Sequence, residues 1–313
     1  MITLAVAGTA ALSMAACGVS GSSHSTGTST SNGDTAGVAG KLILGGPSEF
    51  KTRPDGIPGL TKTYGVTFGT FKSLDAGGSL TVNALKHGQV DAADLFTTDP
   101  SIQANGFVVL EDPKKLYTAQ NVLPLIAKAK ATTGVRATLK AVSDKLDTKT
   151  LTALDVKVIT YKEDPAAVAK GWLKEQGLNK TGKAASGVSI KVGSANFQEN
   201  VLLAEIYAEA LKAKGANVST KLNIGSREAY IPGLKDGSIN LIPEYSGVLL
   251  QYFDKTATAA SSADVYAALK SAVPSPLIVL HQSSAEDRDA IVVTKVTADK
   301  YHLTSIGDLA KTG

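Results

Sequence analysis

The sequence predicts an α/β protein with mainly parallel sheets, because short apolar runs alternate with amphipathic helical stretches. The apolar runs have the length of buried strands and lie at residues 41–44, 90–95, 107–110, 188–192, 239–242, 277–280 and 290–294. Helical periodicity is found at residues 79–87, 166–176, 197–214, 226–234 and 263–273. Parallel strands need a crossover connection, and helices of this length can supply it.

The composition is that of an ordinary globular protein and argues against several classes of function. The chain has 313 residues, of which 43% are hydrophobic and 19% are charged, so it can bury a sizeable core. Its formal net charge of +4 arises without a basic stripe, so no nucleic-acid partner is expected. The single cysteine, Cys17, excludes an internal disulfide and a Cys-x-x-Cys site.

Residues 1–17 are predicted to be an export signal. The apolar run at residues 2–16 is too short to span a bilayer, but it fits the core of a signal peptide. Cys17 follows this run and resembles the lipidated cysteine of a bacterial lipobox; an ordinary cleaved signal is the alternative. Residues 18–40 are rich in Ser, Thr and Gly and are predicted to be a flexible tether. We therefore expect an exported protein, lipid-anchored on the extracytoplasmic face of the cell membrane.

Motifs of catalysis are not found in the sequence. It has no Gly-x-Ser-x-Gly elbow, no phosphate-binding loop and no His-Glu-x-x-His. The four histidines are isolated from one another. Asp91 and Asp94 are close in sequence, but strand alternation predicts that they lie on opposite faces. We expect no catalytic residues, no metal site and no cofactor.

Several linked motifs resemble those of one family of binding proteins. Val-Gly-Ser-Ala-Asn-Phe-Gln-Glu-Asn at residues 192–200 and Pro-Glu-Tyr-Ser-Gly at residues 243–247 are two of them. Further matching stretches lie at residues 49–60, 96–99, 224–237 and 304–309. Together they resemble the glycine betaine/choline-type (osmoprotectant) substrate-binding proteins of ABC transporters. The resemblance implies a two-lobe, periplasmic-binding-protein-like (type II) fold with a ligand cleft between the lobes, and permease and ATPase subunits as partners.

The motifs appear in a circularly permuted order. The family begins with the stretch found here at residue 192 and reaches the stretch at residues 49–56 only later. Residues 179–187 are polar and small, and are predicted to be the linker that joins the family's two ends. The resemblance then implies one lobe from residues 124–285 and a second, split lobe from residues 41–122 plus 286–313. A misassembled gene model would give the same order.

The resemblance also implies a set of ligand-binding residues. Tyr245 and Phe96 match aromatic positions of a cage for a quaternary ammonium group, and Arg53 matches the arginine that reaches the ligand's carboxylate. Ala195 and Val248 stand where the family often has Lys and Thr. The pocket is predicted to be completed by further polar residues, namely Gln198, Gln120, Asn121, Asp289 and Thr98.

Two questions about function stay open at this point. The depleted cage suits either a quaternary ammonium solute or a more polar or phenolic one. The chain could serve an importer, or it could act as a lipid-anchored sensor that uses the same closure without transport.

Overall fold

The computed structural model describes residues 37–312, which belong to one structural unit, Asp34–Gly313. Two five-stranded sheets organise it. The first contains β1 (Ile43–Pro47), β2 (Thr70–Leu74), β3 (Ala92–Phe96), β4 (Val108–Val109) and β10 (Asp289–Val293). The second contains β5 (Val122–Ala127), β6 (Ser189–Gly193), β7 (Asn217–Lys221), β8 (Leu241–Tyr245) and β9 (Leu277–Val279).

The two sheets share one topology. Their strand orders are β2-β1-β3-β10-β4 and β7-β6-β8-β5-β9. In each sheet the first three strands are parallel, and the fourth is antiparallel to its neighbours. That antiparallel strand comes from the other half of the chain, so the chain crosses between the sheets twice, at residues 110–121 and 280–288. The predicted α/β class and two-lobe type II fold are confirmed.

Helices cover both faces of both sheets. Those of the first sheet are α1 (Ile57–Tyr64), α2 (Ser79–Lys86), α3 (Pro100–Ala104) and α11 (Lys295–Tyr301). Those of the second are α4 (Thr133–Ser143), α5 (Thr148–Asp155), α6 (Pro165–Glu175), α7 (Gln198–Ala213), α8 (Arg227–Asp236), α9 (Ser246–Phe253) and α10 (Ser262–Ala272). No helix of residues 37–312 has the length and apolarity needed to cross a membrane.

Strand alternation divides the core of each sheet into two clusters. In β10, Ile291 and Val293 pack with α1 and α11, whereas Ala290 and Val292 pack with α2. In β5, Val122 and Ile126 pack towards α4 and α7, whereas Leu123 and Leu125 pack towards α8, α9 and α10. Side chains at the ends of the strands, such as Phe96 and Tyr245, line a cavity.

Two of the predictions concern the N-terminal region of the chain. Cys17 and the predicted signal peptide lie outside the described residues. The predicted tether at residues 18–40 extends too far, because Val38–Lys41 form a 3-10 turn in which Val38 and Ala39 are buried. Apolar contact with the core of the first sheet outweighs the small-residue composition of this stretch.

The linker at residues 179–187 packs closely against α4. A Cβ atom on Gly134 would overlap the carbonyl oxygen of Ala184, so Gly134→Ala is expected to lower the free energy of unfolding by about 1–3 kcal/mol. Gly171, inside α6, has no atom within 4 Å of such a Cβ, so Gly171→Ala is expected to raise it by about 0.5–1 kcal/mol. Urea denaturation of both variants checks this, and a destabilised Gly171→Ala or a neutral Gly134→Ala would contradict it.

Candidate ligand-binding site

A cavity of about 240 Å³ lies between the two sheets. It is reached by the carboxyl ends of parallel strands from both sides: Pro47 and Phe96 end β1 and β3, Tyr245 ends β8, and Ala195 follows β6. Ligands of open α/β sheets bind at such carboxyl edges. The arrangement therefore allows one small molecule to contact both halves of the protein at once.

Three aromatic rings form a continuous wall of this cavity. The ring centroids of Phe96 and Phe197 are 5.0 Å apart, and those of Phe197 and Tyr245 are 6.0 Å apart. Phe96 comes from the first sheet, whereas Phe197 and Tyr245 come from the second. The wall thus spans the two halves and offers π faces to a cation or a flat apolar group.

Phe197 was not predicted as a site residue. The sequence shows it as the first apolar residue of a helical face, which is typical of core packing. In the structure it stands just before α7, is only half-buried and lines the cavity. Its position between the end of the parallel strand β6 and the start of α7 was the signal that could have identified it.

Arg53 lies at the centre of a buried cluster of carboxyl groups at the cavity. Its Nε is 3.2 Å from Oδ1 of Asp55, and its Nη2 is 3.0 Å from Oδ2 of Asp289. In the antiparallel register of β3 and β10, Asp94 pairs with Ile291, two residues from Asp289. The side chains of Asp94 and Asp289 therefore lie next to each other on the same face of the sheet. Asp55, Asp94 and Asp289 are all at least 95% buried. One guanidinium therefore serves three carboxyl groups.

Burial and mutual repulsion change the acidity of this cluster. Burial raises the pKa of Asp94 well above its usual range, and the charge of Asp289 adds to the effect. Burial also raises the pKa of Asp55, against the opposing influence of Arg53. Burial lowers the pKa of Arg53, but Asp289, Asp55 and Asp94 raise it by more, so the guanidinium stays charged.

Arg227 and Glu244 form a second buried ion pair at the cavity wall. Arg227 donates from Nε to Oε1 (3.1 Å) and from Nη2 to Oε2 (2.8 Å) of Glu244. The hydroxyl of Tyr230 donates to Oε1 (2.7 Å), and the backbone N–H of Tyr245 donates to Oε2 (3.0 Å). Glu244 is fully satisfied by these donors, so the pair fixes the start of α8 against β8.

A third polar cluster joins the two halves beside the aromatic wall. The hydroxyl of Thr98 donates to Oε2 of Glu199 (2.7 Å), and the hydroxyl of Tyr245 donates to Oε1 (2.6 Å). The backbone N–H of Thr98 donates to Oδ1 of Asp287 (3.1 Å). Asp155, fully buried at the end of α5, lies next to Glu199. Burial raises the pKa of Asp155 and of Asp287, and the neighbouring Glu199 contributes in both cases.

The structure distributes the predicted site residues over three environments. Five of them line the cavity: Tyr245, Phe96, Arg53, Gln120 and Asp289. Gln198 and Thr98 line a larger cavity of about 740 Å³ that shares Phe96 and Phe197 with the first.

Asn121 lines neither cavity. Its amide donates to the carbonyl of Ser283, and its Oδ1 accepts from the hydroxyl of Ser262, so it connects segments within the second half. Ala195 and Val248, the two departures from the family pattern, do line the smaller cavity.

The sequence pattern also left Asp94 and Asp91 without roles. Asp91 accepts a hydrogen bond from the backbone N–H of Ile43 and so ties β3 to β1. Asp94 belongs to the Arg53 cluster because β10, which brings Asp289, comes from the far end of the chain. Among the described residues, no three His, Cys, Asp or Glu side chains are arranged to hold a metal ion.

The fold and the cavity between its halves define a solute-binding protein of the periplasmic type. The family model of the substrate binding domain of ABC-type glycine betaine transport systems matches residues 28–175 and 188–313, and the chain belongs to this family. This confirms the resemblance seen in the motifs. The gap between the matched segments contains the linker at residues 179–187.

The chain is also similar to individual proteins. It is 32% identical over 145 residues to a glycine-betaine-binding protein of Pseudomonas aeruginosa, covering 45% of this chain and 46% of that protein. It is 29% identical over 148 residues to glycine betaine-binding protein YehZ of Escherichia coli, covering 45% and 48%. The matches thus span about half the length of these relatives. Among solved structures, a cysteine-binding protein from Campylobacter jejuni has a TM-score of 0.45 at 9% identity, covering 86% of this chain and 82% of that one.

Proposed function

We propose that this chain is the extracytoplasmic substrate-binding component of an ABC importer of the glycine betaine class. It binds a small solute in the cavity between the two sheets and releases it without chemical change. The observation that carries this proposal is the aromatic wall of Phe96, Phe197 and Tyr245, to which both halves contribute. A solute on this wall contacts both halves and therefore stabilises their closed arrangement.

The remaining parts of the proposal follow from the sequence and the family. The closed form docks on a permease that an ATPase powers. Cys17 carries the lipid anchor, which holds the protein on the outer face of the cell membrane. Since one acyl chain gives only marginal membrane binding, we propose that this anchor has more than one.

The proposal is tested first by a thermal-shift screen. The panel contains glycine betaine, choline, carnitine, sugars and phenolic compounds, and the solutes that stabilise the protein are then measured by calorimetry. At least one is expected to bind with a clear shift in melting temperature. A protein that no member of the panel stabilises would not fit the proposed function.

Replacing the middle ring tests whether this cavity is the site. Phe197→Leu is expected to weaken the binding of the panel's tightest solute about fivefold or more, because a ring face contributes about 1 kcal/mol to a bound cation and its packing adds to that. Phe68→Leu is the matched control, because Phe68 is also half-buried but lines neither cavity. Unchanged affinity in Phe197→Leu by calorimetry would place the site elsewhere.

A further inference from the structure

Two buried carboxylate oxygens at the cavity have no hydrogen-bond partner. Oδ2 of Asp55 and Oδ1 of Asp289 are both buried and unpartnered among the described residues, although both side chains line the cavity. Oδ1 of Asp94, behind them, is unpartnered as well. Buried polar atoms are nearly always paired, so unpaired ones in a binding cavity indicate what the ligand must supply.

The missing partners must be hydrogen-bond donors. An ionised carboxylate only accepts, so its free oxygens can be satisfied by N–H or O–H groups and not by C–H groups of a trimethylammonium head. Arg53 lies at ion-pair distance from the other oxygens of Asp55 and Asp289, and not from the two free ones. Its Nε and Nη2 atoms make no hydrogen bond among the described residues either, so the site has free donors beside its free acceptors.

The charge of the site specifies the donor further. Three buried carboxyl groups, those of Asp55, Asp94 and Asp289, surround one guanidinium, Arg53. The other buried guanidinium at the cavity, Arg227, is neutralised by Glu244. Asp287 also lines the cavity and is buried. Glu49 is half-buried there, whereas Glu228 and Lys255 are exposed. The buried carboxyl groups of the site therefore outnumber its guanidinium groups, and a cationic group of the solute would balance this excess.

We propose that the cavity selects a solute whose cationic nitrogen carries N–H donors, such as a protonated amine, a guanidinium or an amidinium. The donors bind Asp55 and Asp289, and an apolar or flat body packs on Phe96, Phe197 and Tyr245. This inference rests on the proposed function and names the solute class within it. A quaternary ammonium would also gain from the rings, but it would leave both carboxylate oxygens buried and unpaired.

A methylation series separates these cases. Phenethylamine and its N-methyl, N,N-dimethyl and N,N,N-trimethyl derivatives keep one positive charge at neutral pH, while the number of N–H donors falls from three to none. Ethanolamine and its derivatives up to choline form a second series without a ring. By calorimetry, the affinity within a series is expected to fall at least about tenfold from the primary amine to the trimethyl compound, as loss of hydrogen bonds to charged acceptors requires.

Asp289→Asn tests the carboxylate directly. We expect it to weaken binding of the primary amine at least about tenfold and to abolish the preference over the trimethyl compound. Asp299→Asn, the same change at an exposed residue, should alter neither. The series on the unmodified protein decides the question even if Asp289→Asn does not fold.

The outcomes distinguish this inference from the proposed function. A trimethyl compound that binds as tightly as its primary amine, or binding confined to neutral solutes of the panel, overturns the inference and leaves the importer role standing. A protein that binds no member of either series and no member of the panel overturns both.

Discussion

Replacing Arg227 with methionine should lower the free energy of unfolding by about 3–5 kcal/mol. Methionine retains much of the length and apolar contact of the arginine but leaves the charge of Glu244 without its partner. Glu244 is 1% exposed, so water cannot take the place of the guanidinium. Two of the four hydrogen bonds to Glu244 would be lost together. Chemical denaturation at neutral pH measures the loss.

Two control variants isolate the cause. Lys140→Met removes the cation from an exposed pair with Asp144 and should cost no more than about 1 kcal/mol. Adding Glu244→Gln to Arg227→Met removes the uncompensated charge and should recover part of the loss, because the glutamine oxygen can still accept from Tyr230. If Arg227→Met alone lowered the free energy of unfolding as little as Lys140→Met does, the pair of Arg227 and Glu244 would not stabilise the fold.

The elements of this fold could be predicted because their patterns are local. The helix predicted at residues 197–214 is found as Gln198–Ala213, and the run at residues 290–294 is found as the strand Asp289–Val293. Each pattern depends on neighbours a few residues away, so the chain itself carries the signal. The pairing of the strands depends on distant residues, and this part required the family resemblance.

The site illustrates the same limit. Arg53 and Asp289 are separated by more than 200 residues in the sequence, yet they form one ion pair because β10 lies between β3 and β4. Asp94 has no local signal of its role, since its neighbour Asp289 arrives with β10. Motif matching could suggest Arg53 and Asp289 one at a time, but not the excess of carboxyl groups that they form together.

The shared topology of the two sheets explains how the permuted motif order is compatible with this fold. Each sheet takes four strands from one half of the chain and its antiparallel strand from the other half. Exchanging the two halves therefore changes which sheet is built first but leaves both strand orders as they are. The linker at residues 179–187 joins the two halves between α6 and β6, which share the core of the second sheet, so only a loop is needed there.

Replacing Asp155 with asparagine should flatten the dependence of stability on pH. Burial, together with Glu199, Asp287 and Asp99, raises the pKa of Asp155 in the folded protein. The folded state therefore holds a proton that the unfolded chain releases above the usual pKa of an aspartate. Stability from this group is complete at low pH and declines as pH rises from that usual value through the raised pKa, by up to about 1.4 kcal/mol per pH unit for one proton.

An asparagine side chain cannot ionise, so the Asp155→Asn variant avoids this decline and should be more stable than the unmodified protein at pH 8. The protonated carboxyl of Asp155 lies beside Glu199, and an asparagine amide can donate to Glu199 in its place. Denaturant unfolding from pH 5 to pH 9 measures the effect, with Asp299→Asn as the exposed control. Asp287 also has a raised pKa, so a smaller slope should persist in the variant. If the free energy of unfolding depended on pH equally in Asp155→Asn and in the unmodified protein, the prediction would be wrong. Asp155 would then ionise as easily in the folded state as in the unfolded chain, despite its complete burial.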